Sequence, residues 1–189
     1  MKSLRKLIFI SVLVPLISSC SQSLKDYQAM SPKLDLKTYF DGPLIAHGML
    51  QDYSDTVTRT FTVDLLAKWE GNKGVLDEIF YFNDGEIDYR CWRLEKTATG
   101  YIGTAGDVTG QANGIISGNT LNWQYELNVK TDSGDMALWL DDWLYLIDEA
   151  TLLNKTEMRK FGINVANITL SISKIHNLPP RELREDCQL

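Results

Sequence analysis

Leu121-Asn122-Trp123-Gln124-Tyr125-Glu126-Leu127-Asn128-Val129 alternates apolar and polar side chains without a break. In an extended chain successive side chains point to opposite faces. The stretch is therefore a strand with Leu121, Trp123, Tyr125, Leu127 and Val129 on one face and amides and a carboxylate on the other. Gly118-Asn119 ahead of it and Asp132-Ser133-Gly134-Asp135 behind it carry the residues that tight turns demand.

The same period of two continues in both directions. From Leu44 onward the apolar pattern alternates, broken by turn residues at intervals of about 8 to 15. Within 56–69, Val57, Phe61, Val63 and Leu65 share a face with Arg59; within 73–82, Leu76, Phe80 and Phe82 share one with Glu78. Asn83-Asp84-Gly85-Glu86 then supplies a hairpin into 87–96, and Thr97-Ala98-Thr99-Gly100 turns the chain again. Segments 101–108 and 111–117 are rich in Gly, which points to bulges or close backbone approach. Residues 136–147 and 167–175 read as strands, whereas 152–161 fits either a strand or a short helix. Residues 34–40 suit one helical turn before Asp41-Gly42-Pro43 stops it, and Pro179-Pro180 is expected to end ordered structure. No helix-period stretch is long enough for a crossover between parallel strands. A sheet of this size must close or fold over to protect its edges, so the expected fold is all-β: an antiparallel up-and-down barrel of roughly eight to ten strands, of the lipocalin or fatty-acid-binding type. A β-sandwich is the alternative.

Composition sets outer bounds. With 189 residues, 23% charged and 44% hydrophobic, the chain has the profile of one globular domain and of neither a low-complexity nor a multi-span membrane protein. A chain of this length buries enough surface to fold without metal or disulfides. Its formal charge of −6 becomes −9 if Lys2, Arg5 and Lys6 are removed with a leader. Such a balance repels phosphates and argues against a nucleic-acid partner.

Lys2, Arg5 and Lys6 precede an apolar run over 7–17, too short to span a bilayer and suited to the h-region of a signal peptide. The run ends in Ile17-Ser18-Ser19-Cys20, which resembles the lipobox of bacterial lipoproteins. The resemblance implies cleavage before Cys20 and acylation of it, palmitate being a typical chain; several acyl chains anchor a soluble domain durably. A plain secretory signal with an incidental cysteine is the alternative. Ser21, rather than Asp, follows the cysteine, which favours the outer membrane with the domain facing the periplasm. The expected division is a signal peptide over 1–19, a tether over 20–33, the barrel over 34–178 and a charged tail over 179–189. Cys91 and Cys187 can pair in an oxidising compartment, or remain a buried and a free thiol.

A wider set of motifs bears on the whole mature chain. Tyr39-Phe40-Asp41-Gly42-Pro43-Leu44, Arg59-Thr60-Phe61, Trp69-Glu70-Gly71, Leu76-Asp77-Glu78-Ile79-Phe80 and Asp84-Gly85-Glu86 are continued by Arg90-Cys91-Trp92-Arg93-Leu94, Gly103-Thr104-Ala105-Gly106-Asp107-Val108, Asp141-Asp142-Trp143 and Lys160-Phe161-Gly162. Together they resemble an uncharacterised family of Gram-negative lipoproteins known only as a domain of unknown function. The resemblance implies a lipocalin-like fold and confers no particular activity.

Chemical motifs are scarce. No Cys-x-x-Cys, His-Glu-x-x-His, Gly-x-Ser-x-Gly, P-loop or dinucleotide fingerprint occurs, and the histidines are His47 and His176. No metal or cofactor is expected. Asn154-Lys155-Thr156 and Asn167-Ile168-Thr169 match glycosylation sequons, which carry no meaning in a bacterial lipoprotein. The informative residues are charges set in apolar rows. Asp142 lies in the row of Met136, Leu138, Leu140, Leu144 and Leu146, while Asp141 lies on the opposite face with Trp139, Trp143 and Tyr145. If the aliphatic row is inside, Asp142 is a buried carboxylate in need of a partner, as are Arg59 and Glu78 in their rows. Arg90 and Trp92 share a face with Leu94 and can join them.

Three functional readings follow. In the first, an interior Arg, such as Arg59, binds the anionic head of a lipid or other small amphipathic ligand. Glu78, Arg90 and Asp142 then complete the polar group, and Phe61, Phe80, Trp92 and Trp123 enclose the apolar part. In the second, these charges satisfy one another in a filled core, and Trp139, Trp143 and Tyr145 bind an envelope protein. An enzyme using Asp142 or Glu78 as a base is the third.

Overall fold

Ten antiparallel strands follow one another in β1 (Gly42–Asp52), β2 (Val57–Glu70), β3 (Lys73–Phe82), β4 (Ile87–Lys96), β5 (Gly100–Thr104), β6 (Val108–Ser117), β7 (Thr120–Thr131), β8 (Gly134–Leu146), β9 (Thr151–Lys160) and β10 (Ile163–Lys174). Each pairs with its neighbours in the chain, and β1 pairs with β10, so the sheet closes into an up-and-down barrel. The structure, a computed structural model, describes residues 22–131, 134–174 and 181–189. The expected signal segment, Cys20, His176, Pro179 and Pro180 lie outside the described residues.

Closure excludes the sandwich and gives the expected lipocalin-like barrel. The ambiguous segment 152–161 is a strand because Leu152, Asn154, Thr156 and Met158, at a spacing of two, are all buried. Residues 101–108 are not one strand: the chain turns between Thr104 and Val108, and Val108 N–H donates to the Ala105 carbonyl at 3.2 Å. β10 begins at Ile163, four residues before the expected start at Asn167, because the hairpin after Lys160 is tight.

The inward rows hold the core, with Leu44, Val63, Leu65, Leu121, Leu140 and Leu152 almost fully buried. The outward row of β7 carries Asn122, Gln124, Glu126 and Asn128. A barrel that crosses a membrane needs an apolar band there. Among the described residues no helix is long and apolar enough to cross a membrane.

The Gly-rich stretch makes room for an indole. A Cβ on Gly114 would stand 2.2 Å from Cε3 of Trp123, and one on Gly103 would stand 2.8 Å from its Cζ2. Trp123 therefore lies flat on backbone that only glycine leaves bare.

Both ends of the chain depart from expectation. Residues 181–189 do not trail into solvent; they dock on the outer face of β2–β4. Asp77 points outward from β3 yet is fully buried, because Arg181 Nη1 reaches its carboxylate at 2.9 Å and Arg184 Nε at 2.6 Å. Leu183 and Cys187 cover Leu66 and Val75, forming a second small core. Cys187 is disulfide-bonded to Cys91 with Cα atoms 5.5 Å apart. The tail's charges are thus spent on a buried carboxylate, which is why a charged sequence packs. At the other end, 22–33 forms a 3-10 turn (Leu24–Tyr27) against the barrel. Tyr27 lies 5.8 Å from the Trp143 ring and 5.6 Å from that of Tyr145.

Two outcomes are expected. Gly114→Ala forces Trp123 to shift and lowers stability by about 1–3 kcal/mol, read as a urea midpoint. Cys187→Ser opens a cross-link spanning 96 residues, which costs about 2–5 kcal/mol while the far-ultraviolet spectrum of the barrel persists.

Candidate functional site

The barrel interior is not filled. A cavity of about 160 Å³ runs along its axis, floored by Leu36 of α1 (Leu36–Tyr39) and by Phe40, which caps that helix. This short helix is fixed at the end of the barrel by hydrogen bonds. The Tyr39 hydroxyl shares its one proton between the Ile172 carbonyl at 2.7 Å and that of Ala150 at 3.0 Å, and Trp69 Nε1 donates to the Phe40 carbonyl at 2.6 Å. Inward residues at this floor are buried, whereas Leu50, Phe82, Val129, Met136 and Val165 at the far end are only partly so. The barrel therefore opens at the end formed by the β1–β2, β3–β4 and β9–β10 hairpins.

Most of the wall is apolar, with Phe61, Phe80, Leu140 and Leu170 among its lining residues. Trp92 packs edge-on against Trp123 at 5.6 Å and against Tyr125 at 5.3 Å. Into this wall project Glu78 of β3, Arg90 of β4, Tyr125 of β7, Asp142 of β8, and Asn154 and Thr156 of β9. Arg90 and Glu78 are directly opposite in the β3–β4 register, as are Asp142 and Thr156 in β8–β9. Directly opposite side chains on one face lie about 5 Å apart at Cβ.

Arg90 is paired outside this group. Its Nε and Nη2 donate to Asp107 Oδ2 at 2.9 and 2.6 Å in a fork of the kind guanidinium and carboxylate favour. Asn154 and Thr156 are also engaged. The Asn154 amide donates to the Trp143 carbonyl at 3.5 Å, and the Thr156 hydroxyl donates to Asn154 Oδ1 at 3.2 Å. Glu78 Oε2 and Asp142 Oδ1 are buried without a hydrogen-bond partner among the described residues.

Burial dominates the protonation of both carboxyls. It pushes Glu78 up to about 7; the Arg90 charge opposes the rise, and Asp107, Asp142 and Asp77 add to it. Asp142 is pushed up to about 6, against the Thr156 and Tyr125 hydroxyls, the Arg90 charge and the Asn154 amide. Tyr125 is raised well above the usual phenol range, first by burial and then by the charge of Asp142. Burial alone lowers the pKa of Arg90, but its electrostatic neighbours, led by Tyr125 and Asp107, hold it above its ordinary value.

The structure brings together five of the six expected ligand-binding residues: Glu78, Arg90, Trp92, Trp123 and Asp142 all line the cavity. Arg59 does not. It lies in the inward row of β2 but at the mouth, bonded to Asp84 at 2.7 Å and Glu86 at 2.8 Å and stacked 3.7 Å over the Phe82 ring. Its expected partner Glu78 pairs with Leu65, six residues deeper and so about 20 Å further along the strand. The hairpin carboxylates are simply nearer. Asp141 and Asp142 diverge as expected, with Asp141 Oδ1 outside, accepting from Asn122 at 2.7 Å and Gln124 at 3.0 Å. His47 is exposed on the outer face.

Of the aromatic row proposed as a docking surface, Tyr27 covers Trp143 and Tyr145, leaving Trp143 only 9% exposed; Trp139 stays open. Sequence reasoning missed Asp107, Tyr125, Asn154 and Thr156. The alternation of Leu152, Asn154, Thr156 and Met158 carried the signal for two of them, once 152–161 is taken as a strand.

Residues 14–174 match the family model described as "Protein of unknown function (DUF3833)", and the chain belongs to that family. No curated protein matches it.

A pH dependence follows from Glu78. Its folded pKa, about 7, lies above the ordinary 4.5. Between those values the folded state holds a proton that the unfolded chain has lost, so this group's contribution to stability is complete below about pH 4.5 and is lost as pH rises toward 7. Urea midpoints should fall between about pH 5 and pH 7.5, by on the order of 1–3 kcal/mol in stability, and Glu78→Gln should remove most of that fall. A midpoint that rises across the window contradicts this assignment.

Proposed function

We propose that this member of the family is a lipid-anchored envelope protein whose barrel holds a small amphipathic molecule. The observation that carries the reading is the cavity itself, apolar along most of its wall and furnished midway with buried polar groups, two of whose oxygens lack partners among the described residues. Apolar walls with a few placed polar groups are the pattern of small-molecule sites. Size then narrows the ligand. A volume of about 160 Å³ is close to the ~150 Å³ void that admits benzene and below the ~300 Å³ at which drug-sized pockets begin. The enclosed part is a short aliphatic chain or a single ring, not a whole phospholipid.

The anchor reading adds an orientation. Cys20 stands two residues before Gln22, within about 7 Å of chain. Gln22 Oε1 accepts from the Tyr27 hydroxyl at 2.5 Å and from that of Tyr145 at 2.9 Å, beside the floored end of the barrel. Acylation of Cys20 holds that end against the outer membrane and directs the mouth into the periplasm. The protein-docking alternative draws less support, because two of its three anchor residues are covered by the chain's own N-terminal segment.

One observation favours a further reading. Cavity-facing carboxyls with pKa values near 6 and 7 are what a general base requires. A carrier returns an incubated ligand chemically unchanged, whereas an isomerase or hydrolase alters its spectrum or mass.

Native mass spectrometry of the full chain, exported with Cys20→Ser to prevent acylation, should show adducts on the order of 100–200 Da that organic extraction removes. A bare mass unmoved by short amphipaths counts against the carrier reading. Labelling with radioactive palmitate should mark the wild type and not Cys20→Ser, which should also move to the soluble fraction.

A further inference from the structure

We infer that the polar end of the ligand is an organic ammonium group, received by Glu78 and Asp142, and not an anion received by Arg90. The inference rests on the cavity reading above and specifies its ligand class. Fatty-acid-type sites place a free guanidinium against a carboxylate ligand, and that arrangement was the expectation from sequence. Here the guanidinium is already committed. Asp107 Oδ2 occupies both Nε and Nη2 of Arg90 at 2.9 and 2.6 Å, which neutralises its charge as well as two of its donors.

Beside that pair, Glu78 and Asp142 give the cavity wall a net negative charge when ionised, because the one guanidinium facing them is already bonded to Asp107. Each residue is more than nine-tenths buried, and Glu78 Oε2 and Asp142 Oδ1 have no partner among the described residues. An ionised carboxylate only accepts hydrogen bonds, so the missing partner is a donor. The Thr156 and Tyr125 hydroxyls and the Asn154 amide already act on the Asp142 carboxyl and favour its ionised form, yet Oδ1 is left without a donor among the described residues. An anion entering this wall meets like charge in a poorly screened interior, whereas a cation meets two acceptors. Aromatic rings add to the preference. Trp92, Trp123 and Tyr125 line the same cavity, and ring faces attract cations. No three His, Cys, Asp or Glu side chains among the described residues converge as a metal ion requires, which leaves an organic cation whose apolar part packs against Phe61, Phe80 and Leu140.

The test uses three probes of one chain length, n-hexylamine, n-hexanol and hexanoate, titrated calorimetrically at pH 7.5 into the full chain exported with Cys20→Ser. The amine is expected to bind at least tenfold more tightly than hexanol, and hexanoate least. Asp142→Asn and, separately, Glu78→Gln should each weaken the amine about tenfold and leave hexanol within twofold. Two neutral isosteres are used so that a folding defect in one does not decide the outcome. Hexanoate binding as tightly as the amine, or hexanol more tightly, overturns the ammonium assignment while the cavity reading stands. Failure of all three probes overturns the cavity reading and this inference with it.

Discussion

The pairing of β1 with β10 governs everything else in this protein. An open sheet of ten strands leaves two rows of unpaired N–H and C=O groups, and it leaves its strands free to slip. Closure removes both freedoms at once. Because the period of a strand is two, every alternate residue is then committed to the interior, whatever its chemistry. Leu44, paired with Lys174 on one side and Leu65 on the other, shows how the first strand is held from both edges. With register fixed on all sides, Glu78, Arg90 and Asp142 cannot rotate out to water without reversing the leucines that share their rows.

That commitment explains the electrostatic character of the interior. A buried carboxylate without its full set of donors destabilises the fold, and an apolar residue of similar size would pack there at lower cost. Arg90 meets the requirement for only one carboxylate, and that one, Asp107, belongs to the β5–β6 turn rather than to the wall. Local rules are broken at Glu78 and Asp142, each of which keeps one buried oxygen without a donor among the described residues, and sites of that kind are where function is to be sought. The volume agrees with this: a barrel of ten strands that leaves about 160 Å³ open has not been packed to the density of an ordinary core.

The two ends of the chain complete the outer surface. Residues 181–189 bring two guanidinium groups to Asp77 and a disulfide to Cys91, so that an outward carboxylate and two outward aliphatic residues are covered. Tyr27 does the corresponding work for Trp143 and Tyr145. Both segments look polar and aperiodic in sequence, and both pack because each residue of theirs that matters meets a particular partner on the barrel wall. Such matches have no periodicity and leave no trace in a pattern of alternation.

Much of the site was nonetheless legible. Trp123, Asp142, Glu78 and Trp92 stand in apolar rows, and a period of two sends whole rows inward. Even the pairing of Glu78 with Arg90 was within reach, since both lie six residues from Asp84, the centre of the β3–β4 turn. Arg59 misled because its row is inward but its height in the barrel is not a property of the row. Asn154 and Thr156 were obscured by a segment whose short apolar run suits helix and strand alike. By itself, then, the amino-acid sequence determined the strand order, the faces and the antiparallel meander, all of which follow from local alternation and turn chemistry. Tertiary structure alone decided which guanidinium stands beside which carboxylate, that the tail docks, and that two acceptors remain open, because these depend on distances across a closed barrel between residues far apart in the chain.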